Sequence, residues 1–208
     1  MKWIEFLKIF ADQPLFHSSM MGIFPDSREY VQVQLSRWAR IGKLNQIRRG
    51  WYLIEAPYCK KEVPSEVIAN TVVSPSYLSL EWAMAFHGMI PEDVPNPTSI
   101  TTTRAEDFQA IGRLFLFKHI KPAYFTGYVK TEYKDKSILV AFPEKALWDK
   151  VYFFTRRNRF SMRWLEQLRL QNLDEFNFSR WGTYVALTKY TALQKAFQAV
   201  EKYIKEIA

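Results

Sequence analysis

Apolar and polar positions in the first 55 or so residues fall into a pattern that predicts three helices and a hairpin. Ile4, Leu7 and Phe10 recur at three-residue spacing among Lys2, Glu5, Lys8 and Asp12, which predicts an amphipathic first helix. A short second helix is expected over roughly His17 to Ile23, stopped at Phe24-Pro25 because the residue before a proline avoids the helical region. Asp26, with Glu29 three residues on, is close to a capping box and opens a third helix. At about 100° per residue, Val31, Leu35 and Trp38 share one face of that helix, while Gln32, Ser36, Arg37 and Arg40 fall on the other side. Gly42 ends it. Lys43 to Ile47 and Trp51 to Ile54 then read as two short strands around Arg48-Arg49-Gly50.

Beyond this point the periodicity lapses. EAPYCKKEVP, Glu55 to Pro64, carries two prolines and mixed charge and reads as a linker. The expected organisation is therefore an N-terminal unit of residues 1–56, a linker of 57–64 and a C-terminal unit of 65–208. In the C-terminal unit Ser65 caps a helix reaching about Val73. A turn and a helix from Ser79 to Gly88 come next. Four strand-like runs follow, Thr98–Thr103, Arg113–His119, Ala123–Tyr133 and Ser137–Phe142. PEKALWDKVYFFT starts with proline at the first helical position, and the patterns around Trp164–Leu173 and Tyr184–Ile207 predict two or three closing helices. The fold class expected is α+β: an N-terminal winged helix-turn-helix followed by a mixed α/β domain with a small, mainly antiparallel sheet.

Charge sharpens this picture. The 208-residue chain carries a formal charge of +8, but six bases and one acid lie between Arg28 and Ile54, so that stretch alone holds a surplus of five. Such a balance favours an anionic partner. No run of about 18 uncharged apolar residues occurs, so no membrane is expected as a partner. The MKWIEFLKIFADQ stretch, with charges every few residues and no small-residue cleavage site, does not read as a secretory signal. One cysteine, Cys59, cannot form an internal disulfide or a zinc cluster, which points to a cytoplasmic protein without metal or cofactor.

Helix, helix, turn, basic amphipathic helix and basic-tipped hairpin is the order of a winged helix-turn-helix. A recognition helix needs an apolar face to anchor it and a polar face to read base edges. Val31, Leu35, Trp38 and Ile41 are the expected anchor. Arg28, Gln32, Ser36 and Arg37 are the expected base contacts, since arginine suits guanine and glutamine suits adenine. Arg40, Lys43, Arg48 and Arg49 are the expected phosphate contacts, the last two projecting from a turn tightened by Gly50.

GKLNQIRRGWYLI, followed by SPSYLSLEWAMAFHGMIPEDVP, TSITTT and FPEKALWDKVYF, resembles the AbiEi-type antitoxins of type IV, abortive-infection toxin–antitoxin systems, over about Leu35 to Phe154. The resemblance implies a transcriptional autorepressor that binds inverted repeats of double-stranded DNA in its own promoter. It also implies neutralisation of a co-encoded nucleotidyltransferase-like toxin, with or without direct contact. A solitary regulator of the same architecture would share these motifs.

The C-terminal unit offers less chemistry. Glu81, His87, Glu144, Lys145 and Asp149 are its conspicuous polar residues. His87 reads as a packed histidine, Glu144 as a carboxylate in the first turn of a helix, and Lys145–Asp149 as an ordinary four-apart ion pair. Two other classes of function fit parts of the chain. Asp107 with Glu132 and Lys134 echoes the acid…E-x-K pattern of Mg²⁺-dependent nucleases, which needs two carboxylates on one metal. A plain interaction module meeting an acidic protein is the other. No G-x-S-x-G, Walker loop or H-x-x-x-H occurs, and His17, His87 and His119 are scattered, so no enzyme is expected. A second basic cluster, Arg156, Arg157, Arg159 and Arg163, reads first as cations near a helix end.

Overall fold

The computed structural model describes residues 1–59, 61–104 and 106–207; Lys60, inside the expected linker, lies outside the described residues. The fold is mixed α/β. Its N-terminal part comprises α1 (Trp3–Phe10), β1 (Leu15–His17), a 3₁₀ segment (Ser18–Ile23), α2 (Arg28–Arg40), β2 (Leu44–Arg48) and β3 (Trp51–Ile54). The three strands form an antiparallel sheet in the order β1-β3-β2.

Phe6, Phe10, Phe16, Leu35, Trp38 and Tyr52 are all buried between α1, α2 and one face of this sheet. Ring centroids there lie 5.0–5.8 Å apart for Phe6–Phe10, Phe6–Phe16, Phe6–Trp38 and Phe16–Tyr52. This aromatic cluster selects which side of α1 turns inward. Ile4, expected on the buried stripe, is 69% exposed, because Trp3, Phe6 and Phe10 win the contact with the larger apolar area. The second helix is a 3₁₀ segment beginning after His17, which belongs to β1. The cap of α2 is Ser27, whose hydroxyl accepts from the Tyr30 N–H at 3.3 Å, so the box expected from Asp26 is one residue out of place. Ile41, expected as an anchor, is 56% exposed beyond the last turn of α2.

The C-terminal part adds α3 (Ser65–Val72), β4 (Ser76–Leu78), α4 (Leu80–Phe86), β5 (Thr98–Thr101), β6 (Phe108–Ala110) and β7 (Arg113–His119). After a 3₁₀ turn at Pro122–Tyr124 come β8 (Tyr128–Tyr133), β9 (Lys136–Ala141), α5 (Pro143–Thr155), α6 (Met162–Gln167), α7 (Phe178–Val185) and α8 (Thr191–Ile207). The sheet order is β6-β7-β5-β4-β9-β8. β5–β7 and β4–β9 pair in parallel, and the other three pairings are antiparallel, so the sheet is larger and more mixed than expected. β4 and β6, each three residues, replace what read as turn and loop. The expected Ala123–Tyr133 strand begins only at Tyr128, after Gly127 takes a φ of +78°.

The centre of this part is α5. Ala146, Leu147, Trp148 and Val151 are fully buried on it, with Phe197 of α8 stacked on Trp148 at 5.4 Å. The two parts share a core. Leu15 and Ile47, on the second face of the small sheet, are buried with the C-terminal apolar residues, and Trp51 and Leu53 pack beside them. The N-terminal unit is thus docked through its sheet. Across the 57–64 segment, Cys59 Sγ donates to the Ala11 carbonyl at 3.2 Å and Lys61 pairs with Asp12 at 2.7 Å.

Candidate nucleic-acid interface

Because Val31, Leu35 and Trp38 are buried, α2 turns its other residues outward. Arg28, Gln32, Ser36, Arg37 and Arg40 are all exposed. They do not form one row. Arg28, Gln32, Ser36 and Arg40 follow one another at four-residue steps, whereas Arg37 lies about 180° round the helix from Arg28. Arg28 and Gln32 line a groove shared with His17 and Ser19 at the end of β1, and Gln32 Nε2 donates to the Tyr52 hydroxyl at 3.3 Å. The four expected base contacts therefore split between the flank of α2 beside the 3₁₀ segment, at Arg28 and Gln32, and the two sides of its outward crest, at Ser36 and Arg37. Tyr30 and Val33, 43% and 63% exposed, also stand on the outward surface. Sequence reading missed both; the signal was that neither falls on the Val31–Leu35–Trp38 stripe. Glu29 is exposed among these residues, its carboxyl held below the usual range by a backbone N–H at the helix start and by Ser27.

The expected phosphate contacts diverge too. Arg40 and Arg49 are exposed and, among the described residues, have no acidic partner; the same holds for Arg28 and Arg37. Lys43 is half-buried, its ammonium 4.9 Å from the Trp3 ring and 5.4 Å from the Tyr58 ring. Arg48 does not project from the hairpin. It pairs with Glu106 at 3.0 Å and lies over the Phe108 ring, and Glu106 holds Arg104 at the same distance. Gly50, φ +82°, forms the turn for a reason sequence alone did not show: a Cβ there would sit 2.4 Å from His17 Nε2.

The C-terminal candidates are structural in their contacts. His87 Nε2 meets the Ala141 carbonyl at 2.8 Å, and burial pushes its pKa down. Glu81 pairs with Lys150. Glu144 is buried and accepts from the Asn177 N–H at 2.8 Å and from Arg180 at 3.1 Å, a role beyond the helix dipole. Lys145 and Asp149 are not an ordinary surface pair. Both are fully buried and bonded to each other, and Asp149 also accepts from Tyr77 at 3.0 Å and Ser79 at 2.7 Å. Desolvation pushes the Asp149 carboxyl up and the Lys145 ammonium down, each opposed by its partner. Burial likewise pushes the Tyr184 phenol up to about 12.

Asp107 and Glu132 lie at opposite edges of the six-stranded sheet, beside β6 and on β8. Five strand gaps of about 4.8 Å separate those edges, so the two carboxylates cannot share one metal. Among the described residues no three His, Cys, Asp or Glu side chains cluster as a metal site, and no helix is long and apolar enough to cross a membrane. No family model matches the chain, and no curated protein matches it.

Proposed function

We propose that residues 1–56 are a winged helix-turn-helix and that the chain is a sequence-specific DNA-binding repressor. The observation that carries this reading is the β1-β3-β2 sheet laid against a helix whose outward arginines, Arg28, Arg37 and Arg40, have no acidic partner among the described residues. In that arrangement α2 enters the major groove and the β2–β3 hairpin lies along the backbone. Gln32 and Ser36 sit on the side of α2 that reads bases, with Arg28 at its start. Arg40 and Arg49 neutralise phosphates and set register. Arg37 stands across the outward crest of α2 from Ser36 and completes the base-reading set.

The resemblance to AbiEi-type antitoxins extends the proposal. The DNA is the protein's own promoter, and the C-terminal part restrains a nucleotidyltransferase-like toxin. The E-x-K nuclease is set aside because its carboxylates stand on opposite sheet edges.

Fluorescence-anisotropy titration on the DNA upstream of its own gene and on a scrambled duplex, at two salt concentrations, tests the reading. The expected result is a preference of about a thousandfold for the upstream fragment, steep in salt. Equal, weak binding to both would refute it.

A further inference from the structure

α5 ends at Thr155, and the eight residues that follow, Arg156 to Arg163, hold four arginines and no acid. All four are exposed. The other arginines of the C-terminal part are engaged: Arg104, Arg169 and Arg180 each pair with a glutamate, and Arg113 donates to the Pro95 carbonyl at 2.8 Å. Within the cluster, Arg156 donates to the Tyr152 hydroxyl at 3.2 Å. Arg157, Arg159 and Arg163 make no ion pair and no side-chain hydrogen bond among the described residues. Glu166, three residues beyond Arg163, does not pair with it either.

The helix dipole accounts for only half of this. Cations at the carboxyl end of α5 suit Arg156 and Arg157. Arg159 lies in the connection, and Arg163 lies in the first turn of α6, where the same dipole opposes a cation. The connection also has a firm base: Phe154 and Trp164 stack at 3.8 Å and 12°, with Phe160 edge-on at 5.8 Å, all three half-buried. Guanidinium groups are planar forks suited to phosphate oxygens, and half-exposed rings beside them offer faces to bases.

We propose that Arg157, Arg159 and Arg163 form a second nucleic-acid contact, gripping a sugar–phosphate backbone independently of α2 and the hairpin. Three exposed guanidiniums within seven residues, with no acid among them and no partner among the described residues, match the closely spaced charges of a sugar–phosphate backbone, so nucleic acid is the occupant favoured. The backbone belongs either to a flanking segment of the duplex held by α2 or to a separate single strand.

The test uses the full chain with Arg157→Gln, Arg159→Gln and Arg163→Gln together, beside a variant carrying lysine at the same three positions. Anisotropy titrations on a labelled duplex and a labelled single strand, across a salt series, give the log–log slope, which counts neutralised phosphates. The glutamine variant is expected to lower that slope by about two to three on one probe, while the lysine variant keeps it. Loss on the duplex identifies the flanking segment, and loss on the single strand identifies a separate strand. Unchanged slopes on both probes, in a variant that melts as the parent does, would overturn the proposal. Unchanged slopes with lost binding to a polyglutamate peptide would overturn it in favour of an acidic protein. Gln32→Ala with Ser36→Ala serves as the comparison. If it removes sequence preference while the cluster variant alters nothing, the repressor reading stands and this one falls.

Discussion

Lys145→Met isolates the least expected feature of the fold, a lysine–aspartate pair with both side chains fully buried. Methionine keeps most of the lysine's volume, so the principal loss is the positive charge beside Asp149. The carboxylate would then lie uncompensated at zero exposure, with only the Tyr77 and Ser79 hydroxyls donating to it. It escapes that cost by binding a proton in the folded state. Protonation sets a ceiling: with an unfolded pKa of about 3.9 and about 1.36 kcal/mol per unit, the loss at pH 7 is at most about 4 kcal/mol. At pH 5 the same arithmetic leaves about 1.5 kcal/mol. The sign follows from the raised folded pKa. The folded variant binds more protons than its unfolded chain, so its stability falls as pH rises from the unfolded pKa toward the folded one. Urea unfolding of parent and variant at pH 5, 6 and 7, with the slope checked for constancy, gives the difference at each pH. A destabilisation of the same size at pH 5 and pH 7 would refute the reasoning, because cavity and packing losses do not titrate. Adding Asp149→Leu, Tyr77→Phe and Ser79→Ala removes the charge and its donors together and is expected to restore most of the loss.

Three further outcomes follow from single contacts. Arg49→Ala is expected to weaken DNA binding more than Arg48→Ala, because Arg48 is engaged by Glu106, while Glu106→Gln strengthens it; anisotropy with equal effects at 48 and 49 would count against the pairing. Gly127→Ala is expected to lower the melting temperature by several degrees, since a left-handed alanine costs about 1–2 kcal/mol and its Cβ would meet Tyr184 at 2.7 Å and Lys145 at 2.9 Å. Residues 1–56 produced alone are expected to melt without cooperativity by circular dichroism, because Leu15 and Ile47 lose cover worth about 1.5–3 kcal/mol each; a sharp transition near that of the whole protein would show the shared core to be dispensable.

How far the sequence carried depends on whether the deciding contact was local. α5 was legible to the residue, Pro143–Thr155, because proline at its start and an apolar run are signals within the helix itself. α2, β3 and β7 were legible for similar reasons. β4 was not: three residues after Ser-Pro read as a turn, and only β5 on one side and β9 on the other make it a strand. The polar residues of α5 show the same limit. Four-residue spacing reads Lys145 and Asp149 as an ordinary ion pair, whereas Tyr77 and Ser79, some 70 residues upstream, give Asp149 a buried bonding site. At the candidate interface, charge sign and helix order were legible, but the directions of the side chains were not. Arg48 is turned aside by Glu106, 58 residues away, and nothing within the basic segment announces it.

That last contact changes what the basic segment can do. Had the N-terminal unit swung freely on a linker, its hairpin would present Arg48 and Arg49 alike, and the C-terminal part would be a passenger. Instead one face of the small sheet, through Leu15 and Ile47, is buried in the shared core, and the hairpin's first arginine is tied to Glu106 and to Phe108 of β6. The Arg48–Glu106 pair is partly exposed, and such pairs contribute only about 0–1 kcal/mol, too little to hold the unit in place. The buried apolar face does the holding, while the ion pair sets where one cation points. Docking and aiming are therefore separate functions of the same interface, the first resistant to salt and the second sensitive to it. Anything that moves β6 would reach the hairpin through the weaker of the two.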